Sequence, residues 1–182
     1  MLFSFQIDFD NRKRGDTGND CLLSTDGTDY PLAMSYMKEF YSHKFKKCGL
    51  RYEIGLNILT GDICWWLGPF EPGIWNDIKI FKECLQKELE PGERVQADQG
   101  YVGGYPDSVF CPPFEAPDRR EMTAIVRLRH ETCNRRFKRW NILKAAYRHD
   151  LMDHNAVFGA IACLTQLSFH NGEPLFPVEY ED

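Results

Sequence analysis

The chain has 182 residues, 43% of them hydrophobic and 14% aromatic, and a formal net charge of −5 at pH 7. That length and apolar content suffice to bury one sizeable core and argue against disorder, so a single domain over residues 1–182 is expected. No apolar run reaches the roughly 18 residues of a membrane span, and the opening MLFSFQIDFDNRKR sets acids where a signal peptide needs a basic and then a long apolar region, so no membrane association and no export are expected. The seven cysteines are odd in number and no two are closer than 16 residues, which excludes paired CxxC zinc spacing and reads as reduced thiols in an intracellular protein. His149 and His154 have no neighbouring cysteine and do not make a zinc pair.

In chain order, Phe3 to Phe9 alternates enough for a strand, and Asn11 to Asn19 reads as a loop. Cys21 to Thr28 is a second strand, ending at Asp26-Gly27-Thr28-Asp29. Leu50 to Leu59 and Ile63 to Leu67 form a hairpin pattern around Thr60-Gly61-Asp62. Asn76 caps a helix from Asp77 to Leu89, with Ile78, Phe81, Leu85 and Leu89 at helical spacing. Arg94 to Asp98 is a short strand, and Gly100 to Pro117, rich in Gly and Pro, is a long loop. Arg119 to Trp140 is one helix, and His154 to Phe169, apolar on most sides, is a buried one. The tryptophans Trp65, Trp66 and Trp75 read as packing residues, and Asp77 as a first-turn helix acid.

Charge is unevenly spread. Residues 119 to 149 hold ten Arg or Lys against Glu121 and Glu131, a local balance of +8 in an acidic chain. At about 100° per residue, Met122, Val126, Cys133, Phe137 and Trp140 make the apolar stripe of the helix. Glu131 falls on the opposite face among Arg120, Arg127, Asn134, Arg135 and Lys138, and Arg129 falls on the apolar side. A solvated, salt-bridged face is one reading; a phosphate-binding patch is the other. Asp26 and Asp98, each at the end of a predicted strand, favour the second. Three carboxylates from two strands and a helix suit hard divalent cations, and basic groups beside them suit a nucleic-acid backbone.

Three segments carry a resemblance: Ser24-Thr25-Asp26-Gly27-Thr28-Asp29, Gln96-Ala97-Asp98-Gln99-Gly100-Tyr101, and Arg127 to Trp140. With Gly49 to Gly55, Gly68-Pro69-Phe70, Trp75-Asn76-Asp77, Leu164 to Leu167 and Asn171 to Pro174 in the same order, the chain resembles the catalytic core of DDE-type transposases, the Harbinger-like and related DDE endonucleases. The resemblance implies an α/β, RNase H-like fold, a mixed sheet flanked by helices. It implies a metal-dependent endonuclease that cleaves DNA phosphodiesters and transfers strands. Asp26, Asp98 and Glu131 are then the catalytic, metal-binding carboxylates for two divalent cations, Mg²⁺ or Mn²⁺, with Asp29 the rival first acid. Strand alternation puts Asp26 and Asp29 on opposite faces, so both cannot serve one site. Arg127, Arg135 and Lys138 are the DNA-binding residues. Transposases of this kind resemble a helix-turn-helix reader joined to the nuclease core, and nothing here precedes the first strand. A core without its own DNA-reading domain is therefore expected, acting in the nucleus or wherever DNA resides, with a homodimer or an accessory DNA-binding partner. The alternative is a catalytically silent, domesticated or truncated relic that binds DNA or protein.

Overall fold

The structure, a computed structural model, describes residues 7–15, 21–111, 114 and 120–176, and at 120–123 the backbone alone. Its centre is β1 (Cys21–Pro31), which pairs antiparallel with β3 (Lys47–Asn57) on one edge and parallel with β5 (Arg94–Gln96) on the other. Beyond β3 runs β4 (Ile63–Phe70), antiparallel, and beyond β5 runs β6 (Val109–Phe110), parallel. The order across the mixed sheet is β4-β3-β1-β5-β6, with β2 (Tyr41–Ser42) paired to the first residues of β3. The helices are α1 (Asp77–Glu83), α2 (Arg120–Phe137), α3 (Asn141–Lys144) and α4 (His154–His170).

Strand alternation divides the interior into two cores. On β1 and β3, the even-numbered Tyr30, Tyr52, Ile54 and Leu56 pack with Cys133 and Phe137 of α2 and Phe158, Ile161 and Ala162 of α4. Phe158 is the hub, stacked on Tyr52 at 3.9 Å between centroids and on Phe137 at 5.2 Å. The odd-numbered Leu23 packs on the other face with Phe81, Leu85, Val95, Tyr101 and Val109. The tryptophans follow the same rule. Trp65 meets Phe9 on the α1 side, Trp66 meets Phe158 on the α4 side, and Trp75 lies against Phe70 under the Lys79 ammonium.

Local chemistry explains the turns. Asn57 closes the β3–β4 hairpin, its Oδ1 accepting from the Leu59 and Thr60 amides at 2.8 Å, while Gly61 takes φ +76°, a region costly to residues with a Cβ. Arg129, 1% exposed, reaches from α2 to the same turn and donates to the carbonyls of Asn57, Ile58 and Leu59. This accounts for its place on the apolar side of the helix: the aliphatic stem is buried and the guanidinium satisfies three carbonyl oxygens.

The structure departs from four expectations. Phe3 to Gln6 lie outside the described residues, but Ile7 to Phe9 are not strand; Phe9–Lys13 is a 3₁₀ turn capped by the Asp8 side chain on the Asp10 amide. It is anchored by Arg12, buried in a bidentate pair with Glu93 at 2.8 and 3.1 Å. The helix from Asp77, capped by Asn76 as expected, ends at Glu83 and continues only as a 3₁₀ turn, Leu85–Lys87. The Gly- and Pro-rich stretch contains a 3₁₀ helix, Gln99–Gly104, and the two residues of β6, too short to show alternation in sequence. Trp140 leaves the apolar stripe and is 41% exposed, because α2 stops at Phe137.

One buried acid makes stability pH-dependent. Glu53 of β3 is 0% exposed; burial pushes its carboxyl up to about 8, against the bond Trp65 Nε1 donates to it at 3.1 Å. The folded state keeps this proton while the unfolded chain releases it near 4.5, so stability is full below that pH and falls by about 1.4 kcal/mol per unit up to about pH 8. Glu53→Gln removes this dependence: urea unfolding is expected to show the variant clearly more stable than wild type at pH 8 and close to it at pH 5.

A carboxylate cleft between the central strand and the basic helix

One face of β1 carries Ser24 and Asp26, two residues apart. Against them α2 sets His130 and Asn134, four residues apart. His130 Nε2 lies 2.8 Å from Ser24 Oγ, and Asn134 Nδ2 donates to Asp26 Oδ2 at 3.3 Å. Two strand residues rise about 6.6 Å and four helical residues about 6.0 Å, so both ties form together. Burial lowers the His130 imidazole to about 4. Ser24 Oγ also reaches Leu56 O at 3.4 Å. Glu131, the residue after His130, lines the same cleft as Asp26.

The third acid comes from the loop after β5. Asp98 stands two residues beyond the strand and caps the 3₁₀ helix Gln99–Gly104, its carboxylate accepting from Gly100 N at 2.7 Å. Asp26, Asp98 and Glu131 line one cleft of about 820 Å³, together with Lys44, Gln96, Arg127 and His130. Asp26 is raised above the usual carboxylate range by burial first and then by the charge of Asp98, against the pull of Lys44 and Arg127.

Asp29 is placed differently. It lies on the other face of β1, 4% exposed, and is held by Arg51 at 2.7 and 3.0 Å and by the Ser42 hydroxyl. Its oxygens are committed to the fold. Asp77, at the start of α1, sits beneath the sheet where Gly27 leaves room; a Cβ on Gly27 would stand 2.2 Å from Asp77 Oδ1. Asp77 also faces Arg51 at 3.2 Å and Lys44 at 3.9 Å, so it is more than a first-turn acid.

The basic run divides by use. Arg129 serves the β3–β4 turn, while Arg136 and Arg139 hold the segment after α4 through the Glu173 main chain, the Pro174 carbonyl and the Glu173 carboxylate. Arg127 and Arg135 are exposed and only loosely paired with Glu131, at 3.9 and 3.8 Å. Pairs so long and so wet contribute about 0–1 kcal/mol and leave the cations available. Arg127 lines the cleft; Arg135 is exposed further along α2, and Lys138, just past its end, sets its ammonium 5.9 Å from the centre of the Tyr30 ring. Sequence reasoning missed Lys44, His130 and the part played by Asn134. Asn134 was visible near Glu131 on the helix face, but Lys44 sits in a turn whose direction no periodicity reveals.

The donor set suits a hard divalent cation: three carboxylates, two of them electrostatically coupled. Among the described residues no group of three His, Cys, Asp or Glu side chains already stands in metal-holding array. Glu131, 47% exposed, is the carboxylate with room to swing inward from its arginines.

A mixed sheet with an acidic cleft at its central strand, walled by a cationic helix, defines an α/β domain built to hold charge of both signs. The family model of the DDE superfamily endonucleases matches residues 25–166, so the chain belongs to that family and carries its transposase-type core. Neither a curated protein nor a solved structure gives a significant match.

Asp26 and Asp29 separate by stability. Asp29→Asn removes the bidentate anion from the buried Arg51 and leaves it Asp77 at 3.2 Å, and is expected to cost about 1–3 kcal/mol in urea unfolding, whereas Asp26→Asn, relieving repulsion with Asp98, leaves metal-free stability unchanged or slightly raised.

Proposed function

We propose that this domain is a metal-dependent DNA endonuclease of the transposase type, with an RNase H-like fold, in which Asp26, Asp98 and Glu131 jointly hold two divalent cations, Mg²⁺ or Mn²⁺. The observation that carries the reading is the common cleft: carboxylates from the central strand, the loop after β5 and α2 line it, with Arg127 on the same wall. When bound, the ions supply an activated water and stabilise the leaving oxygen of a phosphodiester. The chain's own residues do the rest. His130 and Asn134 fix α2 on β1, so that Glu131 enters the cleft beside Asp26. The Gly100 amide holds the Asp98 carboxylate in place. Arg127, Arg135 and Lys138 take the DNA backbone, which positions the substrate without reading its sequence. Sequence choice and strand transfer then call for a second copy or an accessory DNA-binding partner.

A second reading, a catalytically silent DNA- or protein-binding relic, is favoured by the ion pairs Glu131 makes with Arg127 and Arg135. Nicking of supercoiled plasmid with Mg²⁺ or Mn²⁺ decides between them. Wild type is expected to relax the plasmid, and Asp98→Asn and Glu131→Gln to lose at least about a hundredfold in rate, as when groups acting only in the transition state are removed. Nicking that survives both substitutions rejects the triad; no nicking by wild type favours the relic. Thermal melts add a metal test, since a cation at a hundredfold excess over its dissociation constant stabilises by about 2.7 kcal/mol. Equal Mn²⁺-induced shifts in wild type and Glu131→Gln return Glu131 to its arginines.

The basic face has its own expected outcome. DNA affinity falls with rising salt, and replacing Arg127, Arg135 and Lys138 together by Ala lowers the log–log slope by roughly 0.9 for each phosphate left without its cation. An unchanged slope, measured by fluorescence anisotropy from low to moderate salt, identifies that face as merely solvated.

A further inference from the structure

Lys44 has a position that neither the triad nor the basic helix accounts for. It lies in the tight turn between β2 and β3, where Lys46 takes φ +55° and its amide closes on the Ser42 carbonyl at 2.9 Å. The turn points the ammonium back over β1. Lys44 Nζ donates to the carbonyl of Gly27, the residue after Asp26, at 2.8 Å and stands 3.9 Å from Asp77 Oδ2. It lines the cleft with Asp26, Asp98, Arg127 and Glu131, yet its side chain is 48% exposed.

We propose that Lys44 is the tethered counter-cation of the cleft: in the metal-free protein its ammonium neutralises the carboxylates around Gly27, and on loading it gives way to the divalent cation and takes up a phosphate of the DNA backbone. The inference rests on the divalent-ion reading above. Asp26 and Asp77 are both largely buried, and of all the charges acting on each, Lys44 is the foremost of opposite sign. An ammonium is a compact point charge on a flexible stem, able to leave a carbonyl for a nearby phosphate without any movement of the backbone. Arg51 also reaches Asp77, at 3.2 Å, but its guanidinium is fixed on Asp29 from the other face of the sheet and does not line the cleft.

The consequence is a linkage. While the Lys44 charge offsets those of Asp26 and Asp77 it opposes metal binding, and a phosphate that draws it away removes that opposition. DNA and metal then strengthen each other's binding by one common factor, as reciprocity requires. The substitution Lys44→Met keeps the stem and removes the charge, and Lys44→Arg keeps the charge. Thermal melts across an Mn²⁺ titration, with and without a saturating short DNA duplex, read the effect. Lys44→Met is expected to bind Mn²⁺ about five- to tenfold more tightly than wild type without DNA, the size suited to one half-exposed charge at this range. The difference narrows once the duplex is present, and Lys44→Arg follows wild type. A Lys44→Met variant with wild-type or weaker Mn²⁺ affinity overturns the role of Lys44 alone. A wild-type protein that does not respond to Mn²⁺ at all overturns this inference and the divalent-ion reading together. A measurement on wild type stands beside the variants in case Lys44→Met melts too low to titrate. The rate of Lys44 acetylation, followed by mass spectrometry, is expected to rise with Mn²⁺ and to fall again when the duplex is added. A rate indifferent to Mn²⁺ overturns the proposal.

Discussion

The arrangement of the cleft depends on how α2 is seated on β1. An apolar contact alone permits a helix to slide along a strand, since Cys133 and Phe137 meet a continuous apolar surface. The ties from His130 to Ser24 and from Asn134 to Asp26 remove that freedom, because both are satisfied at only one height. A slip of one helical turn re-pairs at most one of the two and strands the other, a cost of about 1–3 kcal/mol for the group left without its partner. The packing beneath follows from the same seating. Phe137 lies one turn beyond Asn134, so the height that satisfies Asp26 also places Phe137 on Phe158, and Phe158 on Tyr52.

Much of this was legible in the residues. Alternation marked β1, β3 and β4, and the helical stripe marked α2, because each is long enough for its period to repeat. Asp26 and Asp29 were separable by parity, and the structure puts them on opposite faces of β1. The rest failed for physical reasons. β6 has two residues and draws its definition from the neighbouring strand, not from a pattern of its own. The turn at Phe9–Lys13 is decided by Arg12 finding Glu93, 81 residues away, and no local rule carries that information. Lys44 is positioned by a turn conformation, and Arg129 by three carbonyls at the end of a distant hairpin.

The same lesson applies to charge. Counted along the chain, the basic run is one feature; in space it is three. Arg129 is an internal brace, Arg136 and Arg139 are a clasp on the segment after α4, and Arg127 and Arg135 stand free of anything stronger than a long, hydrated pair. A run of like charge is tolerable on one helix because its members answer to different partners: main-chain carbonyls for Arg129 and Arg136, Glu131 within the run, and Glu173 beyond it.

A β-sheet ordinarily insulates its two faces, since each side chain points one way and the backbone fills the space between. At Gly27 the insulation is missing. The absent side chain lets the Asp77 carboxylate press against the main chain from the α1 side, so that it feels the charge of Asp26, which points the other way. The cleft is therefore not electrically closed at its floor. The carboxylate at the start of α1, on the side of the sheet away from α2, and the one inside the cleft are joined by charge through a gap the width of a missing methyl group.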